Sequence, residues 1–415
     1  MKGIGKKIVL SVGLCGVLSA AAYKIPEQSL DSMALSAANV AYVQGADASY
    51  YNPANMTWMD PDKAFFEMAL TYIHLPSVDF SSAVNPLLNA SSKKEDFLVP
   101  TFFYVSQKYD FLRFGLSFTA PAGLSKKWDD IYPKAYAKEF SLKVLELAPS
   151  ISFELLENLS FAAGIRFVYS EGKVKSDSTE LFQAGIAKGA LARDMDGDMS
   201  EFGYNFALSY RPSESLTLAA TYRSKVDLKE EGRAQLYFAG KKMYDNSANV
   251  TVPLPAVITL AASYALEDEK TVLEFTYEKT RWGVYRYLDF EYDGELHPGI
   301  KKFFDDPIPK FWDDTNTYRF GVTHQYNDKL KLMAGFAIDE TPVPEETLGF
   351  ELPDGDAKIY SVGFEYKVNS QMSVGLAYLY DDKDDISVRQ GAEGINGDFS
   401  GGGAHLLTAG FKYNY

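Results

Sequence analysis

Leu112-Arg113-Phe114-Gly115-Leu116-Ser117-Phe118-Thr119 decides the fold. Bulky apolar side chains fall on every second residue, and small or polar ones fall between them. A period of two puts Leu112, Phe114, Leu116 and Phe118 on one face of a strand and the rest on the other; an amphipathic helix would place them three and four apart. The pattern returns in 317–326, where Tyr318, Phe320, Val322 and Tyr326 share a face that His324 interrupts. It returns again in Tyr360, Val362, Phe364 and Tyr366, and in Met372, Val374, Leu376, Tyr378 and Tyr380. A soluble sandwich would alternate in the same way. Two features favour a membrane. The runs extend over about ten residues, longer than the usual strands of soluble proteins. Aromatics also close the runs, as in Tyr378/Tyr380 and Tyr413/Tyr415, where an interfacial girdle places them.

Counting runs predicts an all-β transmembrane barrel of about fourteen antiparallel strands. Their centres fall at Phe66, Phe102, Leu116, Leu145, Ile165, Ala207, Tyr222, Ile258, Phe275, Phe320, Ala334, Val362, Leu376 and Ala409. Short turns such as 211–214 and 326–329 belong to the periplasmic side, and the long polar stretches 126–138, 175–200, 237–249, 293–314 and 382–403 to the exterior. The last strand ends in Tyr415. A terminal aromatic resembles the signal read by the outer-membrane assembly machinery, although Phe is the commoner last residue.

The N-terminus supplies the address. Lys2, Lys6 and Lys7 precede an apolar run from Ile8 to Leu18, and Ser19-Ala20-Ala21-Ala22 offers small residues for cleavage. Residues 1–22 read as a secretory signal peptide, with an apolar run too short for a transmembrane anchor. Leu14 before Cys15 argues against a lipoprotein signal. Cys15 is the only cysteine, so the mature chain has no disulfide framework. The whole chain carries a net charge of −15, and losing three Lys leaves 38 basic against 56 acidic residues, a net of −18. That balance excludes nucleic acid as a partner. It suits acidic loops facing water above a wall that meets outer-membrane lipid. A mean hydropathy of −0.18 is expected where lipid-facing and lumen-facing residues alternate.

Residues 23–60 fit no hairpin. They are small, polar and Ala-rich, with a short helix expected over 29–40 and a turn over Tyr50-Tyr51-Asn52-Pro53-Ala54. A compact segment of small residues ahead of a barrel (61–415) fits its lumen as a hatch, or plug; a periplasmic tail is the alternative.

Enzymatic chemistry is thin. In Asp194-Met195-Asp196-Gly197-Asp198 the Gly comes too early for an EF-hand, so the segment reads as a solvated loop. The four His lie without metal-ligand spacing, and no nucleophile elbow, P-loop or dinucleotide motif is present. Nothing here calls for a catalytic residue, a metal or a cofactor. Pattern alone leaves a general diffusion porin and a structural or adhesin barrel open.

Several motifs together resemble the FadL/TodX family of outer-membrane transporters of long-chain fatty acids and hydrophobic compounds. They are Asn52-Pro53-Ala54; Ala120-Pro121-Ala122-Gly123-Leu124 followed by Trp128; 222–227; Leu254-Pro255; Tyr318-Arg319-Phe320-Gly321; 339–344; and 352–356. The resemblance covers essentially the mature chain. It implies a plugged fourteen-stranded barrel and passive transport: capture of a hydrophobic ligand on an apolar groove, binding in the lumen, and lateral exit through an inward kink in the third strand. Pro121, Ala122 and Gly123 are the kink candidates, although Pro and Gly serve a strand-end turn equally well. Leu124, Trp128, Phe303, Phe304, Phe311 and Trp312 are the groove candidates, exposed aromatics on an acidic exterior. The family's fatty-acid members are expected to meet the carboxylate with basic groups. Here Asp313 stands where many relatives carry Lys, and Ser170 where the archetype carries Arg. Arg319, Arg166, Arg113 and Arg223 remain as lumen cations that could take that role.

Overall fold

The computed structural model describes residues 22–267, 270–391 and 394–415. The signal peptide expected over 1–22 lies outside the described residues, apart from Ala22. Fourteen antiparallel strands close into a barrel. They are β1 (Phe65–Leu75), β2 (Glu95–Val105), β3 (Leu112–Lys127), β4 (Glu139–Leu156), β5 (Leu159–Asp177), β6 (Leu191–Tyr210), β7 (Leu216–Arg223 continuing as Val226–Phe238), β8 (Lys241–Leu254 continuing as Val257–Ala265), β9 (Thr271–Thr280), β10 (Thr315–Gln325), β11 (Leu330–Asp339), β12 (Ala357–Lys367), β13 (Met372–Lys383) and β14 (Ala404–Asn414). β14 pairs with β1 from Phe65↔Asn414 to His74↔His405, so the sheet has no free edge there. Each of the fourteen expected centres falls inside its strand. No helix among the described residues is long and apolar enough to cross a membrane.

The wall is inside out relative to a soluble sandwich. Leu70, Leu98, Leu116, Phe206 and Leu376 are exposed, whereas Thr71, Thr101, Ser117, Ser209 and Thr408 on the alternate positions are buried. Only a hydrocarbon solvent makes that arrangement favourable.

Three expectations are corrected at the outer end. The stretch 237–249 is not a loop: Ala239 and Gly240, both at positive φ, make a two-residue turn between β7 and β8. Much of 175–200 is likewise strand, because β5 and β6 stay paired out to Asp177↔Ala192. Asp194–Asp198 therefore lies in β6, with Lys175↔Asp194 and Lys173↔Asp196 in register, and is not a solvated loop.

Residues 22–60 are largely buried and pack against inward-facing residues of the wall. A five-residue helix, α1 (Leu30–Ala34), is capped by Ser29. A second, α2 (Ala48–Tyr51), runs through Asn52 into a 3-10 turn at Pro53–Trp58. Tyr50–Ala54 is thus the junction of two helical pieces and not an isolated turn. Asn52 leaves the helical region (φ −155°, ψ 83°), as the residue before proline should.

Candidate functional site

The lumen segment is held from three directions. α1 lies against glycines of the wall. A Cβ on Gly335 would stand 2.2 Å from the Leu35 carbonyl carbon, and one on Gly410 would stand 2.7 Å from Leu30 Cβ. The wall is bare there, so backbone can approach backbone. Ser361 Oγ donates to the Ala34 carbonyl at 2.9 Å. Below, Asp31 bridges Lys331 (2.9 Å) and Lys412 (2.8 Å), and Glu365 bridges the same two ammoniums at 2.6 and 3.0 Å. Burial alone would raise the Asp31 carboxyl; Lys331 and Lys412 outweigh it and hold the group below its usual range. A depressed carboxylate contributes stability above its unfolded pKa and loses it as pH falls through the folded one, so this latch weakens only under acid. We expect Asp31→Ala to leave the lysines partly unpaired and to cost the docked segment roughly 3 kcal/mol. Chemical denaturation followed by protease sensitivity at 22–60 reads this directly; unchanged protection would mean the ion cluster is incidental.

Every lumen arginine named from the sequence is partnered by protein; Arg113, Arg166 and Arg319 are buried and Arg223 is half-buried. Arg113 spends all five N–H donors on carbonyls, those of Ser106, Met56, Met59, Asp60 and Lys63, at 2.7–3.1 Å. Arg166 donates to Glu146 at 2.8 Å and to the Ser224 carbonyl at 2.6 Å. Arg223 pairs with the same Glu146 and lies 4.3 Å over the Tyr50 ring. Arg319 donates to the Ser36 carbonyl at 2.9 Å and stands 3.4 Å from Glu27. The Asn52-Pro53-Ala54 motif also points to the wall. Asn52 Nδ2 donates to the Val40 carbonyl and to Ser209 Oγ, both at 2.8 Å; Ser160 holds the Ala54 carbonyl at 2.9 Å; Pro53 begins the 3-10 turn.

The wall itself has an opening. β2 and β3 pair only from Phe102↔Phe118 to Val105↔Gly115. Above Phe102 they part. On the other side of β3 the register with β4 jumps between Thr119 and Ala122, a bulge of one extra residue centred on Ala120-Pro121. Pro121 brings no N–H to the break. The bulge reverses the facing of the strand: Thr119 pairs across from Glu146 and Ala122 from Val144, both inward positions. Leu124 consequently turns inward. The strands meet again higher up, where Lys93 N–H donates to the Lys127 carbonyl at 2.9 Å and Ser125 to Glu95 at 2.7 Å.

Backbone groups exposed by this window would be costly in a membrane. On the β3 side the lumen segment satisfies several of them. Ile25 N–H donates to the Pro121 carbonyl (2.9 Å) and Gly123 N–H to the Tyr23 carbonyl (2.8 Å). The Gln28 amide accepts from Ala120 N–H at 2.8 Å and donates to the Ala120 carbonyl at 3.0 Å. Thr101 of β2 donates to the Gln28 carbonyl at 2.6 Å. Residues 23–28 thus form a patch across the gap, with roles that sequence periodicity could not signal.

Two cavities meet at the patch. The upper holds about 730 Å³ of empty space, part of it open to solvent, and is lined largely by apolar groups, among them Leu142, Val174, Met195, Val252, Tyr285 and Phe290. That volume suits a small hydrophobic molecule. The lower, about 700 Å³ by the same measure, is lined by Ile25, Pro26, Tyr50, Pro121 and the guanidiniums of Arg166 and Arg223. Tyr23 borders the upper cavity, Lys24 and Ile25 the lower, so the patch is also the partition. Tyr23 packs on Trp282 and Trp312, with ring centroids 4.7 and 5.7 Å apart, and its hydroxyl donates to the Pro253 carbonyl.

Of the groove candidates, Leu124, Trp128, Phe304 and Trp312 are buried, and Phe303 and Phe311 are half-buried. Leu124 and Trp312 line the upper cavity. Trp128 is fully buried, donating from its indole N–H to the Phe350 carbonyl at 2.8 Å. Phe304 is buried with Leu236, Leu296 and Ile300, with Phe303 against them, and Phe311 packs on Tyr287. The long connections fold onto one another and roof the pocket. Asp313 is exposed at this roof, and Ser170 is buried in the wall, donating to Glu230.

Comparison with known proteins agrees with this construction. Relatives include Outer membrane protein P1 of Haemophilus influenzae, 24% identical with 88% of this chain and 86% of that protein covered, and the Long-chain fatty acid transport protein of Salmonella typhi, 24% identical with 88% and 87% covered. Among solved structures, a Pseudomonas aeruginosa FadL homologue superposes with a TM-score of 0.82 at 19% identity, covering 95% of this chain and 99% of that one. The Pseudomonas putida toluene transporter TodX gives 0.71 at 17%, with 95% and 99% covered. The family described as Outer membrane protein transport protein (OMPP1/FadL/TodX) matches residues 12–415. With its closed barrel, patched wall and roofed pocket, the chain belongs to that family and is a protein of the Gram-negative outer membrane.

Proposed function

We propose that this protein captures hydrophobic small molecules beneath its extracellular roof, holds them in the upper cavity and releases them sideways into the membrane between β2 and β3, with 23–60 acting as the hatch. The observation that carries the reading is the break in the β2–β3 ladder that residues 23–28 bridge. A wall meant to stay shut would complete its ladder; a patch of a few hydrogen bonds can be exchanged for others. A side exit also spares an apolar ligand the periplasmic water, which is the step it resists most. Pro121, Ala122 and Gly123 form the movable rim, and Leu124 and Trp312 meet the ligand. No energy source is needed. A diffusion porin is disfavoured by the filled lumen. Tyr415, whose backbone pairs with Ala64 in both directions beside β1, is the end we expect the assembly machinery to read.

The substrate is the finer question. Named relatives carry fatty acids or toluene. In this chain the arginines that could meet a carboxylate are engaged by protein groups, Arg319 by Glu27 and Ser36. An anion placed in the pocket without a free cation loses its hydration uncompensated. We therefore expect hexadecanoic acid and its methyl ester to bind the purified barrel with affinities within about threefold, well under the factor that one charge-assisted hydrogen bond supplies. Arg319→Ala should loosen the hatch without changing that ratio. A strong preference for the acid, lost in Arg319→Ala, would restore Arg319 as the headgroup partner and the fatty-acid assignment.

A further inference from the structure

Among the three carboxyls that line the upper cavity, Glu230 is buried and, among the described residues, has no ion-pair partner. It sits on β7 at an inward position between Leu228 and Gly232, and only 3% of its surface is exposed. Ser170 donates to Oε1; Oε2 has no hydrogen-bond partner. No ion pair forms on it among the described residues. The wall makes room for it: a Cβ on Gly172, directly beside it and also lining the cavity, would stand 3.2 Å from Glu230 Cγ. A buried carboxyl oxygen without a partner, in a cavity lined largely by apolar groups, costs free energy unless something meets it.

The charges lining the cavity limit what that can be. Lys173 and Lys310 bring two ammoniums; Asp196, Glu230 and Glu351 bring three carboxylates. Both ammoniums are already held, Lys173 by Glu139 at 3.1 Å and Lys310 by Glu351. An anionic ligand meets the unpaired Glu230, and a cationic one meets two lysines. A neutral hydroxyl suits Glu230 in either protonation state, because it both donates and accepts.

We propose that Glu230 is the specificity-determining residue of the upper cavity, and that its preferred ligand is a neutral hydrophobe bearing a hydroxyl group that bonds Oε2. This rests on the reading of that cavity as the carrier site. The lysines of the lining are already paired and most of the rest is apolar, so Glu230, with Ser170 behind it, sets which end of the ligand points to β7.

The test compares hexadecan-1-ol, hexadecanoic acid and hexadecane, each titrated against the full-length purified barrel in nanodiscs at pH 7 and read by quenching of tryptophan fluorescence. Heat-modifiable migration on gels certifies that each variant is folded. The alcohol should bind the wild type about tenfold more tightly than the alkane, as one hydrogen bond to a carboxyl supplies. Glu230→Leu should erase that preference while keeping alkane binding. Glu230→Gln, nearly the same shape, should reduce the alcohol preference and improve binding of the acid, since its amide can donate. An alcohol that gains nothing over the alkane, or keeps its advantage in Glu230→Leu, overturns the assignment while leaving the hydrophobe reading intact. If none of the three binds the wild type, the cavity is not the carrier site and both readings fall.

Discussion

A bridge between β2 and β3 across the window stops uptake and spares capture at the roof. Val99 and Ala122 face inward on either side of the gap, beyond the last paired rung at Phe102↔Phe118. With cysteines at both positions and a bis-methanethiosulfonate linker, the two rims are tied by disulfides that a reductant cleaves. The sequence has a single cysteine, Cys15, within the expected signal peptide, so none competes in the barrel. Before linking, uptake of a radiolabelled hydrophobe by cells carrying the variant should match wild type. After linking it should fall to the level of cells without the protein, and reductant should restore it. Binding to the linked barrel should persist, because the upper cavity is lined by β3–β8 and the loops, with Leu124 as its residue from β3, and takes no lining residue from β2. The effect is all or nothing because the rims must part from the 23–28 patch for anything to pass between them. Normal uptake through a linked barrel would mean that ligand leaves elsewhere.

Removal of the hatch gives the second large effect. A variant that keeps the signal peptide but lacks 23–60 should still assemble, since β14 closes on β1 without help from the lumen. Fourteen strands enclose a space just short of the open aqueous channels of larger porins. Emptied of the hatch, the barrel should pass small ions steadily in planar bilayers where the intact protein conducts almost none. Glu67, Glu274, Arg319 and Lys412 would then face water, so conductance should depend on salt and pH. A deletion barrel that folds yet stays closed would show that the loops, and not the hatch, seal the pore.

The wall was legible because lipid enforces one face of every strand. Each run read from the sequence, from Phe66 to Ala409, lies in its strand, since an apolar residue in water or a polar one in hydrocarbon is penalised at each step. Above the membrane that rule lapses. Tyr237–Asn249 and Asp194–Asp198 are strands with water on the outside, so alternation fades and they read as loops. The inward facing of Arg113, Arg166, Arg223 and Arg319 was readable from parity; their partners were not. Glu27 lies 292 residues from Arg319, and Glu146 lies 77 from Arg223. Such pairings exist only once the barrel closes. The groove aromatics misled for a related reason. Trp128 and Phe304 look like exposed apolar residues on acidic loops, but loop meets loop and buries them. Pro121 and Gly123 fitted a kink or a turn equally; the structure adds a one-residue register shift against β4 between Thr119 and Ala122, which pattern alone could not locate. Nothing in 23–28 announced that it would serve as edge strand to that kink.

The route is tested most directly by a photoreactive hydrophobe, a diazirine-tagged alkane activated while uptake is under way in whole cells, with adducts mapped by mass spectrometry. Sideways release predicts labelling in the upper cavity at Leu124 and Trp312, then at the rims of the window, Leu98, Val99 and Pro121. The periplasmic vestibule, lined by Tyr42, Gln44, Arg211 and Ser215, should stay unlabelled. Adducts at Tyr42, Gln44 and Ser215 with none at Leu98 or Pro121 would mean that ligand passes down through the hatch, and would contradict the lateral route.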